Sequence, residues 1–236
     1  MGGPLVPGHL AVVIPARNEE QLLPSCLQAL LAAVHRLRAE TAARASITVV
    51  LDSCTDGTRR MLAGFQAGPG ADLDLRIVEG RFGAVGAARA AGIASLPEQP
   101  GLWIANTDAD TVVPENWLLQ QYLLASAGYG LVIGTVVPDP ADLNGEETAA
   151  WHALHSLGEG HRHVHGANMG FSAAAYHRCG GFAPVSAHED VDLAEQMQAA
   201  GVPWLATDTL RAVTSGRRDG RTPDGFSSFL RRLLPG

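Results

Sequence analysis

Apolar residues fall along this chain in short unbroken runs, each closed by a polar or glycine-rich break and followed by helix-spaced aliphatic residues. Residues 10–14 (LAVVI) form the first run, ended by Pro15. A run with no polar alternation reads as a strand covered on both faces, as in a parallel sheet. Over residues 19–38, Leu22, Leu23, Leu27, Leu30, Leu31, Val34 and Leu37 recur at the spacing of a broad helical face. The cycle then repeats. Residues 47–51 are a strand stopping at Asp52, and Asp56-Gly57 punctuate before a helix over 58–66. Residues 73–78 alternate apolar and polar as a third strand. A glycine-rich turn leads into a helix over 84–96, and residues 102–105 make a fourth strand. Strand–helix units repeated in this way predict an α/β fold with a mixed, mostly parallel central sheet flanked by helices.

The second half is less regular. The pattern predicts a helix over 117–126, a strand over 131–137, a helix over 146–157, a turn over 179–182, a helix over 190–200 and a last strand over 209–214. Gly201-Val202-Pro203 stops the helix before it, glycine then proline being a usual termination. The tail from Ser215, rich in Arg, Gly and Asp, reads as a loop. No internal repeat or low-complexity linker divides the chain. The expected organisation is one domain over 1–236, with a nucleotide-binding half over about 10–110, an acceptor and catalytic half over about 111–215, and a tail over 216–236.

Composition narrows the class. Hydrophobic residues make up 46% and charged residues 17% of 236 residues, an ordinary soluble globular balance. A formal net charge of −7 argues against broad binding to a nucleic-acid backbone. No apolar run approaches the roughly 20 residues that span a bilayer. Three cysteines (Cys26, Cys54, Cys179) give neither a metal-type pair nor an even disulfide set, and with no secretory signal visible the expectation is a cytoplasmic protein with reduced thiols.

In parallel sheets, ligands bind beyond the carboxyl ends of the strands. The residues at those ends are 15–19, 52–56, 80–89 and 106–110, and each segment is polar or glycine-rich. Asp108 and Asp110, one residue apart, can point to the same side of an extended backbone. Two hard oxygen anions there suit Mg²⁺ or Mn²⁺, while an Asx turn capping the next element fits the same residues. At Pro15, Ala16, Arg17 and Glu19, a strand end feeding a helix can present N–H groups and a guanidinium to a diphosphate. Asn18 and Glu19 equally suit an ordinary helix start. Gly83 and Gly86 invite a dinucleotide fingerprint, but that fingerprint follows the first strand and these glycines follow the third, so a nicotinamide enzyme is demoted. Glu189 and Asp190 suit a general base or simply a helix N-terminus. His161, His163 and His165 would share one strand face. A zinc site lacks an evident fourth ligand, and a polar acceptor loop fits better. Trp151 can stack on a sugar or fill a core.

The segments VVIPARNEE, LDSCTDGT, GAVGAARAAG, NTDADTVVPENWL, GANMGFS and HEDVDLAEQM, in this order, resemble the family 2 glycosyltransferases of the GT-A fold over roughly residues 10–215. The likeness is strongest to small actinobacterial-type members whose tails read SGR..GR.P.GF, here Ser215-Gly216-Arg217 with Arg221, Pro223, Gly225 and Phe226. The resemblance implies a metal-dependent, inverting transfer of a sugar from a UDP- or GDP-linked donor to a small or carrier-linked acceptor. It implies that Pro15, Ala16, Arg17, Glu19, Asp52, Gly83, Gly86, Arg89, Asn106 and Asp108 contact the nucleotide and its phosphates. In the same reading Asp110 with Asp108 binds Mn²⁺ or Mg²⁺, Gly166, Ala167 and Asn168 line donor sugar and acceptor, and Asp190 is the base with Glu189 second. Arg89 is as readily a solvated helix residue. A third metal ligand is left open, since no histidine follows His188. A retaining transferase, a sugar nucleotidyltransferase and a silent nucleotide-sugar module are the alternatives. The apolar residues beside Arg231 and Arg232 would allow weak peripheral membrane contact, a packed terminal helix being the other reading.

Overall fold

The computed structural model describes residues 6–155, 157–183, 185 and 187–217. The predicted tail motif from residue 218 onward, and the apolar–basic stretch within it, lie outside the described residues. The first half follows the predicted alternation: β1 (His9–Ala16), α1 (Leu23–Glu40), β2 (Arg44–Asp52), α2 (Thr58–Ala67), β3 (Asp74–Gly80), α3 (Val85–Ala94) and β4 (Leu102–Thr107). Next come β5 (Thr111–Val112), α4 (Trp117–Ser126), β6 (Leu131–Pro138), α5 (Gly145–Leu154), β7 (Asn168–Ser172), α6 (Ala173–Arg178), α7 (Glu189–Ala199) and β8 (Trp204–Thr214).

The sheet runs β3-β2-β1-β4-β7-β6-β8-β5. The first four strands are mutually parallel, β7 is antiparallel to both β4 and β6, and β8 runs parallel to β6. The unbroken apolar run of β1 now has its cause. Leu10, Val12 and Ile14 enter the core under α1, α2 and α4, whereas Ala11 and Val13 enter the core under α3, α6 and α7. Edge strand β3 buries only Leu75 fully, so its sequence alternates. By these pairings the ends of β1–β4, β6 and β8, the start of β7 and the start of β5 all reach one edge of the sheet.

The differences from the pattern have local reasons. The helix predicted from residue 19 starts at Leu23, with Pro24 in its first turn, where a missing N–H costs nothing. Glu19 and Glu20 are instead held by the loop after β2. Three elements went unread: the two-residue β5, and β7 with α6, because NMGFSAAAY changes from strand to helix within a few residues. Ser172 manages that change, its side chain accepting the Ala175 N–H as the N-cap of α6. The last strand begins five residues earlier than the pattern indicated, at Trp204.

Candidate active site at the carboxyl edge

The loop after β1 is stitched to the loop after β2. Asn18, in the left-handed region at φ 54°, accepts the N–H groups of Thr55 (2.7 Å) and Asp56 (3.3 Å) on its side-chain oxygen. Glu20 accepts the Gly57 N–H at 2.6 Å, and the Glu19 N–H donates to the Thr58 hydroxyl at 2.8 Å. Pro15 and Ala16 finish β1, Arg17 stands exposed, and Glu19 is drawn inward and buried. Asp52, at the end of β2, accepts the N–H groups of Phe82 (2.7 Å) and Gly83 (3.1 Å). Its carboxylate thereby pins the glycine-rich turn, and Gly83 supplies the positive φ of 75° that this turn requires.

At the end of β4 the backbone turns rather than staying extended, with the Thr111 N–H donating to the Asp108 carbonyl at 3.1 Å. The two aspartates are each met by a guanidinium. Arg89 donates to Asp108 at 2.5 Å, and Arg217 lies 2.8 Å from Asp110. Arg217 also grips Glu19 with both terminal nitrogens, at 2.9 and 2.7 Å. Burial, then the charge of Asp108, pushes the Asp110 carboxyl up to about 6 against the opposing pull of Arg217. This corner therefore crowds negative charge that a further cation would relieve.

Arg89 is the hinge of the arrangement. It emerges from the small-residue helix α3, is only 2% exposed, and bonds Glu189 at 2.5 Å as well as Asp108. Burial opposes its charge, but Asp108, Glu189 and Asp190 outweigh that and hold its proton more firmly than usual. Burial raises the Glu189 carboxyl, and Arg89 offsets part of the rise. The small residues are needed here: a Cβ on Gly166 would collide with the Arg89 guanidinium, and one on Gly86 would collide with Glu189. Asp190, the second residue of α7, accepts the Gly166 N–H at 2.5 Å and its neighbour Val191's N–H at 2.9 Å. Gly166 and Ala167 are thus placed beside the predicted base.

Two predicted contact residues, Asn168 and Asn106, lie fully buried. Asn168 is fully buried, accepts from the Trp117 indole (2.8 Å) and donates to the carbonyls of Thr135 and Leu210, so its amide braces β7 against β6 and β8. Asn106 is also fully buried, on the face of β4 that packs under α3. Trp151 is buried at 1% exposure, which matches the core reading. The pattern names Arg217 only as part of the tail motif and gives it no role at the site. The density of arginines after Ser215 was visible, but its partner Glu19 lies 198 positions away and no spacing rule links them.

A divalent cation fits Asp108 and Asp110 by donor chemistry: both are hard oxygen ligands, and burial beside Asp108 raises Asp110 although Arg217 offsets part of the rise. Among the described residues no group of three or more His, Cys, Asp or Glu is arranged to hold a metal. The remaining ligands would have to be phosphate oxygens and water, the usual manner of Mg²⁺ at phosphate sites. A cavity of about 380 Å³ lined by His9, Arg38, Arg44, Asp74 and Arg76 lies at the opposite edge, where the strands begin, and includes none of these carboxylates. No helix among the described residues is long and apolar enough to cross a membrane.

The model of the family described as Glycosyl transferase family 2 matches residues 11–180. Comparison with curated proteins gives no match. Several solved structures share the fold. S. aureus TarS residues 1–349 is 13% identical with a TM-score of 0.64, over 96% of this chain and 69% of that one. A mannosyltransferase from Pyrobaculum calidifontis, PcManGT, in complex with GDP-Man and Mn²⁺, is 22% identical with a TM-score of 0.68, over 92% and 60%. GalNAc-T7 with UDP, GalNAc and Mn²⁺ is 13% identical with a TM-score of 0.64, over 94% and 46%. TarS 1–349 has also been solved with UDP. The chain spans well under two thirds of several of these proteins, down to 39% of a longer TarS chain.

Proposed function

The chain belongs to glycosyl transferase family 2, and on that premise we propose that it moves a sugar from a UDP- or GDP-linked donor to an acceptor hydroxyl with inversion, assisted by Mn²⁺ or Mg²⁺. One observation carries the reading: Glu19, Asp108, Asp110 and Glu189, from segments far apart in sequence, are joined through Arg89 and Arg217 at one sheet edge. Residues 10–110 serve the donor and 111–215 the acceptor, with Asp52, Gly83 and the loop after β1 framing the nucleotide. Asp108 and Asp110 hold the cation, which when bound supplies positive charge to the diphosphate. Arg217, already beside Asp110, offers a guanidinium to the same oxygens.

Asp190 is the base. Its carboxylate is oriented by the Gly166 and Val191 N–H groups and takes the proton from the acceptor hydroxyl. The hydroxyl oxygen bonds to the anomeric carbon as the bond to the diphosphate breaks, and the diphosphate leaves with the electron pair. Glu189, 3% exposed and paired with Arg89, is better suited to hold Asp190 in place than to receive a proton.

The test is turnover of a panel of UDP- and GDP-sugars with Mn²⁺ and with chelator, for the wild type, Asp110→Asn and Asp190→Asn. Loss of the base lowers kcat by about 10²–10⁴-fold. If both variants match the wild type, the mechanism is wrong. If only Asp190→Asn matches it, a retaining or nucleotidyl transfer replaces the inverting one.

A further inference from the structure

Between α5 and β7 lies a group of imidazoles that the reaction above does not use. The rings of His161, His163 and His165 follow one another at 6.1 and 6.2 Å, with interplanar angles of 20° and 11°. They form a ladder of rings two residues apart. His155, from the end of α5, closes on His163 at 5.1 Å and stacks on Trp151 at 4.4 Å and 4°. The ladder ends at His165, directly before Gly166, whose N–H holds the proposed base Asp190.

Two features favour a ligand at this cluster over packing alone. His161 is only 8% exposed, yet neither ring nitrogen has a hydrogen-bond partner among the described residues, and the buried Trp151 indole N–H has none either. Each such buried group costs about 1–3 kcal/mol unless something arrives to satisfy it. Secondly, nearby carboxylates are already engaged. Asp208 on β8 is held by Thr135 and Arg211, Glu159 in the loop by the Thr207 hydroxyl and the Asp208 N–H, and Asp190 on α7 by Gly166. Arg162 points outward, exposed, between the first two rungs. A transition metal is not favoured, since no three of these donors are arranged to hold one among the described residues.

We propose that the imidazole ladder His161–His163–His165, with His155, recognises a phosphate group on the acceptor and so sets the hydroxyl of a phosphorylated acceptor against Asp190. Imidazolium N–H groups make charge-assisted bonds to phosphate oxygens, and the last rung, His165, directly precedes the Gly166 whose N–H bonds the base. Burial holds the His165 ring below its ordinary value against the pull of Asp190, whereas a bound anion favours the protonated form of the rings it touches. Capture of the anion therefore draws protons onto them, and affinity weakens as pH rises.

The inference rests on the transferase reading, and the test separates the two. With Mg²⁺ and saturating UDP or GDP filling the donor site, histidine ring resonances are followed on titration with sn-glycerol 3-phosphate, glycerol or inorganic sulfate, at pH 6 and pH 8. Sulfate keeps its charge across this range, so its pH dependence reports the imidazoles alone. The phosphate ester and sulfate shift the ring signals and glycerol does not, and sulfate affinity falls by about tenfold per pH unit for each proton taken up. His161→Gln and His163→Gln each remove the response while leaving the thermal shift by UDP or GDP unchanged, which also shows that the variants fold. Nucleotide binding without any anion response, an anion response that survives both substitutions, or stoichiometric Zn²⁺ binding by the ladder overturns the inference and leaves the transferase reading standing. Failure of all nucleotides to bind overturns that reading instead.

Discussion

Replacing Arg89 by methionine tests the hinge of the site directly. Arg89 and Glu189 are 2% and 3% exposed and meet at 2.5 Å, so the substitution leaves a carboxylate buried without its partner. Breaking a buried pair from one side costs about 3–5 kcal/mol. The second arm adds little, because the Asp108 side chain is 34% exposed and water screens it, making that pair worth about 1 kcal/mol or less. The expected loss is therefore about 3–5 kcal/mol, set against a total of about 5–15 for a domain of this kind. Urea unfolding at pH 7.5 measures it. The double variant Arg89→Met/Glu189→Leu removes both charges and restores most of the stability, since a buried ion pair is commonly replaceable by apolar packing. The coupling from the double-mutant cycle should exceed about 2 kcal/mol. Turnover should not return with stability, because the α7 start that carries Asp190 would have lost its tie to α3 and β4. An Arg89→Met loss below about 1 kcal/mol, or additive substitutions, would refute the buried-hinge account.

Gly86→Ala should destabilise, although alanine favours helices by about 1 kcal/mol. The new methyl would stand 2.7 Å from the Glu189 Cγ, and overpacking of this kind costs about 1–3 kcal/mol; a stabilised variant in thermal unfolding would show that α3 and α7 are not in contact there. Acid should also weaken the fold through His165, which burial first, against the opposing pull of Asp190 and with help from the neighbouring histidines, holds down at about 4, below its ordinary value of 6.5. Because the unfolded chain takes up the proton first, this contribution is complete above about 6.5 and is lost as pH falls toward about 4, by at most about 1.4 kcal/mol per pH unit. Urea midpoints at pH 7.5, 6 and 5 should decline less steeply in His165→Gln; parallel curves would remove His165 from the account.

The first half of the fold was legible because each parallel strand is buried on both faces and so carries a run that no surface element imitates. Where burial is one-sided or the element is short, that signal fades. The two-residue β5 and the β7–α6 junction have too few residues to show a period, and their positions are set by pairing with β8 and β4. The start of α1 was misplaced for a different reason. Local propensity favours acidic residues at a helix N-terminus, but Glu19 and Glu20 gain more from the loop 39 and 37 positions ahead of them. Tertiary bonds overrode the local preference.

The candidate site shows the same division between what sequence carries and what only the fold supplies. Residue types survive translation into structure: Asp108, Asp110, Glu189 and Asp190 were visible as acids at element ends, and they lie together at the carboxyl edge of the sheet. Their partners are a property of topology. Antiparallel β7 enters between β4 and β6 and brings Gly166 to Asp190, and β8 returns parallel to β6 and delivers Arg217 to Glu19 and Asp110. Neither pairing has a period or a spacing that a linear pattern could register. Arg89 illustrates the consequence. As a helix residue among alanines it reads equally well as solvated, yet α3 and α7 close around it because Gly86 and Gly166 leave the room, and the charge then needs both Glu189 and Asp108 to be tolerated. The glycines were legible as a motif. Their physical use, admitting a buried guanidinium between the Asp108–Asp110 turn and the start of α7, follows only once the strand order is known.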